Sequence, residues 1–279
     1  MSKADFTVDD NWVREQRGAK NPMDPSRPYA FLHEEELQPS GKTESINTLF
    51  LTNRECRYAC LMCDLWKNSL DDSVVPGMIP DQIRWGLEQL PPARHLKLYN
   101  GSSFFDPAAI PEADYPEIIR LAEGFNSLIV ENHPRLCGQG LLDFARALKP
   151  RLQVAMGLET VHPDGLRQLN KKMSLEDYSA TVKRLHENDI GVRTFIMLRP
   201  PGLSEEEGIY WAKRSLDFAF EAGSEICSLI PTRAGNGAME QLQEAGLFAP
   251  PLPESMLEVL EYGLSLNAGP VFADSWDED

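Results

Sequence analysis

Several signatures that would assign a protein class at once are missing from this sequence. It has no apolar run long enough to cross a bilayer, and its polar N-terminus lacks the apolar core of a signal peptide. It also lacks a glycine-rich P-loop with its lysine, a G-x-S-x-G segment and an H-E-x-x-H segment. The five histidines are too scattered to form a metal site by spacing alone. Because an apolar run that could cross a bilayer and a signal-peptide core are both missing, we expect a cytoplasmic protein that makes no use of a membrane.

Basic residues are missing from one end of the chain. No Lys or Arg occurs from Ala234 to the C-terminus, where nine acidic residues supply −9 of the formal net charge of −16. The balance reverses in the stretch from Arg167 to Arg199, with seven basic and four acidic residues. The net charge argues against salt-driven attraction of the whole molecule to nucleic acid. The basic stretch is either a local basic face or an ordinary solvated helix surface.

Cysteine is scarce, with five residues in a chain of 279, and the spacing does not suit a disulfide framework. Two of the five stand alone. Cys227 lies in an apolar run and is typical of a small buried hydrophobe. Cys137 lies nearer to the end of a predicted strand, so a position facing the active cavity is a second interpretation for it.

The other three cysteines form the most informative segment of the chain, Cys56-Arg-Tyr-Ala-Cys60-Leu-Met-Cys63. It follows directly after an apolar run, Ile46 to Leu51, that is typical of a strand. Three thiolates on one short loop can hold a soft metal centre, and a [4Fe–4S] cluster is the natural occupant. Because such a cluster normally takes four thiolates, three leave one iron open to a substrate or cofactor.

A zinc site is the alternative for this loop, completed by Asp64 or by a histidine. Zinc loops usually pair two C-x2-C elements, however, and the sequence contains no second pair. The spacing therefore favours the iron–sulfur cluster.

Length and composition indicate one domain of the larger kind, since 42% of the residues are apolar and 25% are charged. We predict an N-terminal extension over residues 1–44, which are polar and proline-bearing and either pack on the domain or are partly loose. The predicted core domain covers residues 45–266, and an acidic C-terminal tail covers residues 267–279.

Within the core domain, short apolar runs alternate with longer amphipathic stretches. The predicted strands are 46–52, 95–99, 127–132, 152–159, 192–198 and 225–231. The predicted helices are 80–90, 115–124, 140–148, 174–188 and 204–222, and the last two begin at the capping residues Ser174 and Ser204. This alternation predicts an α/β fold with a parallel sheet. Six units fit a partial (β/α)6 TIM-like barrel better than a closed barrel of eight.

In parallel α/β folds the ligand lies at the carboxyl ends of the strands, so polar residues there are candidate cofactor-binding residues. The second predicted strand ends in Asn100–Ser102, which could instead form a simple tight turn. The third ends at Glu131, which could face the cavity or be solvated. The fourth ends at Glu159, which is costly to bury unless it is paired. The fifth leads into Arg199, which could bind a carboxylate bidentately or form a surface salt bridge.

The cysteine spacing, its early position and the strand before it resemble the radical S-adenosylmethionine (SAM) superfamily. The resemblance implies that the open iron chelates the amino and carboxylate groups of SAM, and that Met62 packs near the adenine. Many members carry Gly-Gly-Glu after the next strand, where carbonyls accept from the SAM amino group. Here Asn100, Gly101 and Ser102 stand at that place. Glu159 is the candidate acceptor for the ribose hydroxyls, as a carboxylate is in dinucleotide folds.

The segments 100–106, 157–160 and 169–171 are similar to the elongator-catalytic-subunit and methylthiotransferase type of core, and most to archaeosine-forming tRNA lyases. The resemblance runs from about Ile46 to Gly263. The chain departs from those relatives in two respects, since they are longer at the C-terminus and their cysteine loops contain other intervening residues. The identity of the substrate is therefore not carried over.

The resemblance implies an enzyme that cleaves SAM reductively to a 5′-deoxyadenosyl radical, which abstracts hydrogen from a substrate. It implies a one-electron donor such as flavodoxin or ferredoxin, and a modified tRNA nucleoside as substrate. A small molecule is the alternative substrate because the acidic tail argues against broad RNA binding. Two other classes stay open from the residues: an iron–sulfur electron-transfer or structural protein without SAM chemistry, and a zinc-binding interaction module.

Overall fold

Short runs of valine, isoleucine and leucine form the central strands of one sheet, as expected for parallel strands that are covered on both faces. The computed structural model describes residues 8–274. Its strands are Ala30–Leu37 (β1), Thr43–Leu51 (β2), His95–Asn100 (β3), Ser127–Glu131 (β4), Arg151–Glu159 (β5), Gly191–Leu198 (β6), Ile226–Pro231 (β7) and Val271–Ala273 (β8). Its helices are Asp10–Glu15 (α1), Met78–Gln89 (α2), Tyr115–Ala122 (α3), Gln139–Ala147 (α4), Gly165–Gln168 (α5), Leu175–His186 (α6), Glu205–Ala222 (α7), Ala238–Glu244 (α8) and Pro253–Ser265 (α9).

The eight strands that residues 8–274 contribute to the sheet follow one another in chain order. From β2 to β8 each strand pairs in parallel with the next, so that Leu49 lies opposite Leu98 and Leu98 opposite Val130. β1 pairs antiparallel with β2 and forms one edge of the sheet, while β8 forms the other. Strands β2 to β7 with their helices are the six βα units of a partial (β/α)6 TIM-like barrel, which confirms the predicted fold class.

The elements predicted from the sequence are confirmed. The six predicted strands are β2 to β7, with ends that differ from the prediction by three residues at most. The five predicted helices are α2, α3, α4, α6 and α7, with ends that differ by two residues at most. Both predicted caps also form, since the Ser174 hydroxyl accepts from the Asp177 amide at 3.1 Å and the Ser204 hydroxyl from the Glu207 amide at 3.2 Å.

Other elements were not predicted, including helix α9, whose 13 residues are long enough to show a period. Most of the others are short or exposed. Strand β1 is an edge strand with seven of its eight residues outside the buried core, so it shows no apolar run. Strand β8 has three residues, and helices α1 and α5 have six and four, which is too short for a period to be visible. Residues 275–279, which include the last three acids of the predicted tail, lie outside the described residues.

The buried apolar residues form two clusters with different positions. The larger cluster lies between the sheet and its outer helices and includes both solitary cysteines. Cys227 is thus a buried hydrophobe, as predicted. Cys137 does not face the cavity, because its thiol is 1% exposed and bonds to the Asn132 amide and the His133 carbonyl. The smaller cluster lies beneath the cysteine loop and includes Val13 and Leu61.

The inner face of the barrel is closed by side chains. Tyr99 of β3 and Phe195 of β6 meet across it with ring centroids 6.3 Å apart. Nearer the amino ends of the strands, the buried guanidinium of Arg193 on β6 donates to the Glu36 carboxylate on β1 at 2.9 Å and lies 6.0 Å from the Phe272 ring on β8. An ion pair thus joins the edge strand β1 to β6 across the interior of the barrel. Within residues 8–274 no helix combines the length and hydropathy needed to cross a bilayer.

Candidate active site

The three cysteines lie on the loop between β2 and α2, at the carboxyl end of the first parallel strand. All three are free thiols and none is fully exposed. Burial raises the pKa of Cys60 to about 11 and also raises the pKa of Cys56 and Cys63. The three groups are close enough that charge on one thiol disfavours charge on the others. Because the thiolate is the ligand form, the site needs a nearby positive charge or a bound metal to hold it.

One side of the cysteine loop is held by the loop that follows β3. Arg57, next to Cys56, binds Asp106 bidentately, with its Nε and a terminal nitrogen 2.7 and 2.6 Å from the two carboxylate oxygens. The Asp106 carboxylate is almost fully buried and also accepts from the Ala108 amide. Such a two-point ion pair fixes direction as well as distance, so it orients the start of the cysteine segment.

The backbone between the cysteines is held by two asparagine side chains. The Asn170 amide, after β5, donates to the Ala59 carbonyl at 2.7 Å. The Asn236 amide, after β7, donates to the carbonyls of Leu61 and Cys63 at 2.7 and 3.2 Å. Since these carbonyls are tied to other loops, the cysteine loop keeps its shape without any help from regular secondary structure.

The end of β3 packs directly against the cysteine loop. A side chain at Gly101 would come within 3.0 Å of the Leu65 carbonyl oxygen, so only glycine allows this approach. The side-chain amide oxygen and nitrogen of Asn100 are buried without a hydrogen-bond partner among the described residues. The buried Ser102 hydroxyl lies beside Cys56, and its hydrogen bond partly offsets the rise in the pKa of that thiol. Buried polar atoms without partners are costly, and they fit a ligand that is bound in use.

Burial shifts two titratable groups at the end of β4 towards their neutral forms. It raises the pKa of Glu131 to about 7, although its carboxylate accepts from the Asn100 backbone amide at 3.2 Å. Burial lowers the pKa of His133 to about 4. Its Nε2 donates to the Lys171 carbonyl at 2.9 Å, and its ring stacks on Tyr58 with centroids 4.2 Å apart. Glu131 therefore lies next to Asn100, as the strand-end argument predicts.

The end of β5 supplies a buried ion pair. Glu159 is 7% exposed, and its carboxylate accepts from the Lys171 ammonium at 2.6 Å. Glu159 has a left-handed backbone with φ of 65°, and a side chain at Gly157 would come within 2.0 Å of its carboxylate. Burial opposes the charge on Lys171, but Glu159 and the Cys60 thiol hold its pKa well above the usual range. This lysine is the positive charge that the thiolates need, since it lowers the pKa of Cys60.

The two remaining predicted residues are Met62 and Arg199. Met62 is partly buried against the smaller apolar cluster, between two of the cysteines in sequence. Arg199 has a left-handed backbone, and its guanidinium binds the Glu205 carboxylate at 2.5 Å and the Pro250 carbonyl at 2.8 Å. The structure therefore brings the cysteines together with Asn100–Ser102, Glu131 and Glu159, but the hydrogen bonds of Arg199 do not reach the cysteine loop.

The site has the chemistry to hold an iron–sulfur cluster with a polar cofactor. It offers three soft thiol ligands on one loop, a side-chain amide at Asn100 that is buried without a partner among the described residues, a hydroxyl at Ser102 and a buried cation at Lys171. Among residues 8–274, no group of three histidine, cysteine, aspartate or glutamate side chains is arranged to hold a single metal ion.

The functional side chains that reasoning from strand ends missed are Arg57, Asp106, Asn170, Lys171 and Asn236. All five lie on the segments that follow the carboxyl ends of strands, beyond the last strand residue. The Asn-Lys pair after β5 was noted only as part of the resemblance. A search of the whole loop after each strand would have found it, because a lysine close to three cysteines is a natural partner for thiolates.

Comparison with known proteins places the chain in a family. The family model for the radical SAM superfamily matches residues 51–211, which is more than half of the chain. The chain therefore belongs to the radical SAM superfamily, and it is an enzyme of this superfamily with SAM-dependent radical chemistry. The superfamily implies a [4Fe–4S] cluster and SAM as cofactors. The resemblance inferred from the cysteine loop is confirmed.

The curated relatives are similar at low identity. An uncharacterized protein of Methanocaldococcus jannaschii is 22% identical over 255 residues, covering 85% of this chain and 70% of the relative. The archaeosine synthase subunit beta of Methanosarcina acetivorans is 24% identical over 283 residues, covering 93% of this chain and 80% of the relative. The protein of the same name from Thermococcus kodakarensis is 27% identical over 172 residues, covering 59% of this chain and 53% of the relative.

Solved structures show the same fold. The Elp3 of Methanocaldococcus infernus has a TM-score of 0.56 at 20% identity, over 71% of this chain and 52% of that one. Coproporphyrinogen III oxidase of Escherichia coli, described as a radical SAM enzyme, has a TM-score of 0.51 at 18% identity, over 94% of this chain and 56% of that one. This chain thus spans little more than half the length of either structure, and at these identities the likeness shows the fold alone.

Proposed function

We propose that Cys56, Cys60 and Cys63 hold a [4Fe–4S] cluster and that SAM binds at its open iron. The observation that carries this proposal is the side-chain amide of Asn100, which is buried without a partner among the described residues beside a loop of three free thiols. A structural iron–sulfur protein would have no use for polar groups that are buried without partners.

When bound, the cluster and SAM together supply the reductive cleavage that yields a 5′-deoxyadenosyl radical able to abstract hydrogen. The protein's own residues bind and orient these two cofactors. Lys171 stabilises the thiolates, and its partner Glu159 offers a carboxylate to the ribose hydroxyls. Asn100 and Ser102 offer hydrogen bonds to the polar end of SAM, and Met62 offers an apolar surface to the adenine.

For the substrate, we propose a modified tRNA nucleoside. Two relatives carry the name archaeosine synthase subunit beta, and one covers 93% of this chain. The electron is proposed to come from a small donor protein of the flavodoxin or ferredoxin kind. A small-molecule substrate is the alternative, because the molecule has a net charge of −16.

The cofactor proposal is tested on protein that has been reconstituted with iron and sulfide without oxygen. We expect a [4Fe–4S] EPR signal after reduction that changes when SAM is added, together with formation of 5′-deoxyadenosine. An EPR signal that does not change when SAM is added, with no deoxyadenosine formed, would contradict the proposal and favour an electron-transfer protein. A colourless protein that purifies with one zinc per chain would contradict it in favour of the zinc module.

The substrate proposal is tested separately, by a tRNA gel shift at several salt concentrations. Binding that strengthens as salt falls is expected, because phosphate contacts release counterions. Absence of a shift at low salt, from protein that still cleaves SAM, would leave the enzyme assignment intact and remove tRNA as the substrate.

A further inference from the structure

The N-terminal segment 9–25, here called the strap, lies across the loops that form the candidate site. At one end, the Asp9 carboxylate caps helix α1 by accepting from the Trp12 amide at 2.8 Å. At the other end, the Pro25 carbonyl accepts from the Gln82 amide of α2 at 2.8 Å. Between these ends, the Asn21 amide donates to a carbonyl of the cysteine loop. The strap is therefore anchored on both sides of the cysteines.

The strongest contact of the strap is made to the residue before the first cysteine. The Glu55 carboxylate binds three strap cations, with Arg14 at 2.7 Å, Arg17 at 2.5 Å and Lys20 at 2.8 Å. Glu55 is 17% exposed and Arg17 is 9% exposed, while Lys20 is 21% and Arg14 is 41% exposed, so this junction is partly shielded from water. Arg17 also packs over the Trp66 ring at 5.1 Å, on the other side of the cysteine segment. A partly buried network of this kind is worth more than an exposed ion pair.

The strap also touches the loops after β5 and β7. The Asp10 carboxylate accepts from the Asn170 amide at 2.6 Å, and Asn170 is the residue that holds the Ala59 carbonyl. A side chain at Gly237 would come within 1.9 Å of the Gln16 carbonyl, so the strap and the loop after β7 are in direct contact. Val13 is 1% exposed in the small apolar cluster beneath the cysteine loop.

We propose that the strap belongs functionally to the iron–sulfur site. It positions the cysteine loop and restricts access of water and oxidants to the three thiols. The ion pairs of Glu55 with its three cations hold the strap on the cysteine loop. Glu55 is a positioning residue because it acts through the strap. The proposal takes the three cysteines as the cluster ligands proposed above. It gives residues 9–25 a function beyond that of an extension, since they contact the cysteine loop and the loops after β5 and β7.

The test measures how fast each thiol reacts, in metal-free protein under reducing conditions, with iodoacetamide followed by mass spectrometry of the cysteine peptides. Glu55→Gln is compared with Glu117→Gln. Glu117 is a matched control, because it also binds two cations, Arg84 at 2.5 Å and Arg120 at 2.6 Å, but lies on the surface of α2 and α3. Cys137 and Cys227 are internal controls for the core.

In Glu55→Gln we expect alkylation of Cys56, Cys60 and Cys63 to become at least about fivefold faster, because local opening exposes them. The core cysteines and the Glu117→Gln protein should react as the wild type does. Unchanged rates at the three loop cysteines in Glu55→Gln would overturn the proposal. If the core cysteines also react faster, Asp10→Ala decides, since it loosens the strap from the β5 side only. Faster loop labelling in that variant supports the proposal, and unchanged labelling overturns it.

A second measurement follows the loss of the cluster in air after reconstitution, by its visible absorbance. Glu55→Gln should lose the cluster several-fold faster than wild type and Glu117→Gln should not, because the strap limits access to the metal centre. If even the wild type assembles no cluster, the proposed function fails, but the thiol reactivities still decide the role of the strap. Equal rates of cluster loss in all three proteins would count against the strap as a shield.

Discussion

At the residue scale, the site consists of groups whose burial works against their charge. The cysteine thiols have raised pKa values because burial disfavours the thiolate, and Lys171 is the cation that offsets this. Binding a metal supplies the rest of the stabilisation, since a coordinated thiol loses its proton outright. The metal-free thiols therefore stay protonated, and metal binding removes their protons.

Replacing Cys60 with Ala should remove both the cluster and SAM cleavage, because two thiolates do not hold a [4Fe–4S] cluster with one open iron. The iron and sulfide content after reconstitution is the measurement. Cys137→Ala is the control, because this thiol lies in the main core and should leave the iron content unchanged. A Cys60→Ala protein with full iron content would exclude the proposed ligand set.

Replacing Glu131 with Gln should stabilise the cluster-free protein in a pH-dependent way. The folded-state pKa of about 7 lies above the ordinary value of 4.5 because of burial, so ionisation in the folded state costs free energy. This cost is absent below pH 4.5, grows between pH 4.5 and 7, and is complete above pH 7. We expect Glu131→Gln to be more stable than wild type by up to about 3 kcal/mol at pH 8 and equal to it near pH 4.5.

Chemical denaturation of both proteins across this pH range measures the difference, and a difference that does not change with pH would contradict the pKa assignment. The glutamine of the Glu131→Gln protein would keep an acceptor oxygen for the Asn100 backbone amide, so that hydrogen bond can form in both proteins.

At the scale of elements, the strands of the barrel deliver the candidate residues and the loops hold them in place. Regular elements were predictable from local pattern, including the caps at Ser174 and Ser204, because apolar periodicity and capping are properties of neighbouring residues. The contacts of Asn170 and Asn236 with the cysteine loop were not predictable. They join residues that are 111 and 175 positions apart, and no local pattern reports such a pairing.

Replacing Lys171 with Met should destabilise the protein by about 3 kcal/mol, because it leaves the buried Glu159 carboxylate without its cation. The free energy of unfolding measures this, and iron uptake should weaken as well. Lys172→Met is the control, since its ammonium is 39% exposed and its ion pair with Asp10 is worth less than about 1 kcal/mol. The double variant Lys171→Met with Glu159→Gln should recover part of the loss, and failure to recover any would argue against charge as the cause.

At the scale of the whole molecule, buried charge joins strands across the interior of the barrel. Glu36 on β1 is 8% exposed and binds Arg193 on β6 and Lys97 on β3. Burial alone would raise the pKa of Glu36, but the two cations lower it to about 2. The first and sixth strands are thus joined through the interior of the barrel, and the edge strand β1 is part of the barrel's stability.

Replacing Glu36 with Gln should destabilise the protein by about 3 kcal/mol at neutral pH, because it removes the carboxylate that pairs with buried Arg193 and one of the two carboxylates that pair with buried Lys97. The folded-state pKa of about 2 is lower than the ordinary 4.5, so this stabilisation is complete above pH 4.5 and is lost as the pH falls towards 2. The difference in unfolding free energy between variant and wild type should be constant from pH 8 to 5 and shrink below. Glu35→Gln, in the neighbouring exposed position, should have no such effect.

The excess of basic residues between 167 and 199 does not form a basic patch on the surface of the described residues. Of the basic residues between 167 and 199, Lys171 and Arg193 are buried in ion pairs and Arg199 binds Glu205. Those on the surface of α6 are solvated, as Lys183 with its neighbour Glu187 illustrates. Within the described residues, the helix-surface interpretation of this stretch is therefore the better one.

The sequence by itself determined the fold class, the six βα units and the position of the three cysteines, because these depend on apolar period, helix caps and the spacing of thiols on one loop. Only the tertiary structure decided that Lys171 pairs with Glu159, that Asp106 and two asparagines hold the cysteine loop, and that the strap lies across it. These contacts join segments far apart in the chain, and their energies arise from burial, which exists only once the barrel has formed.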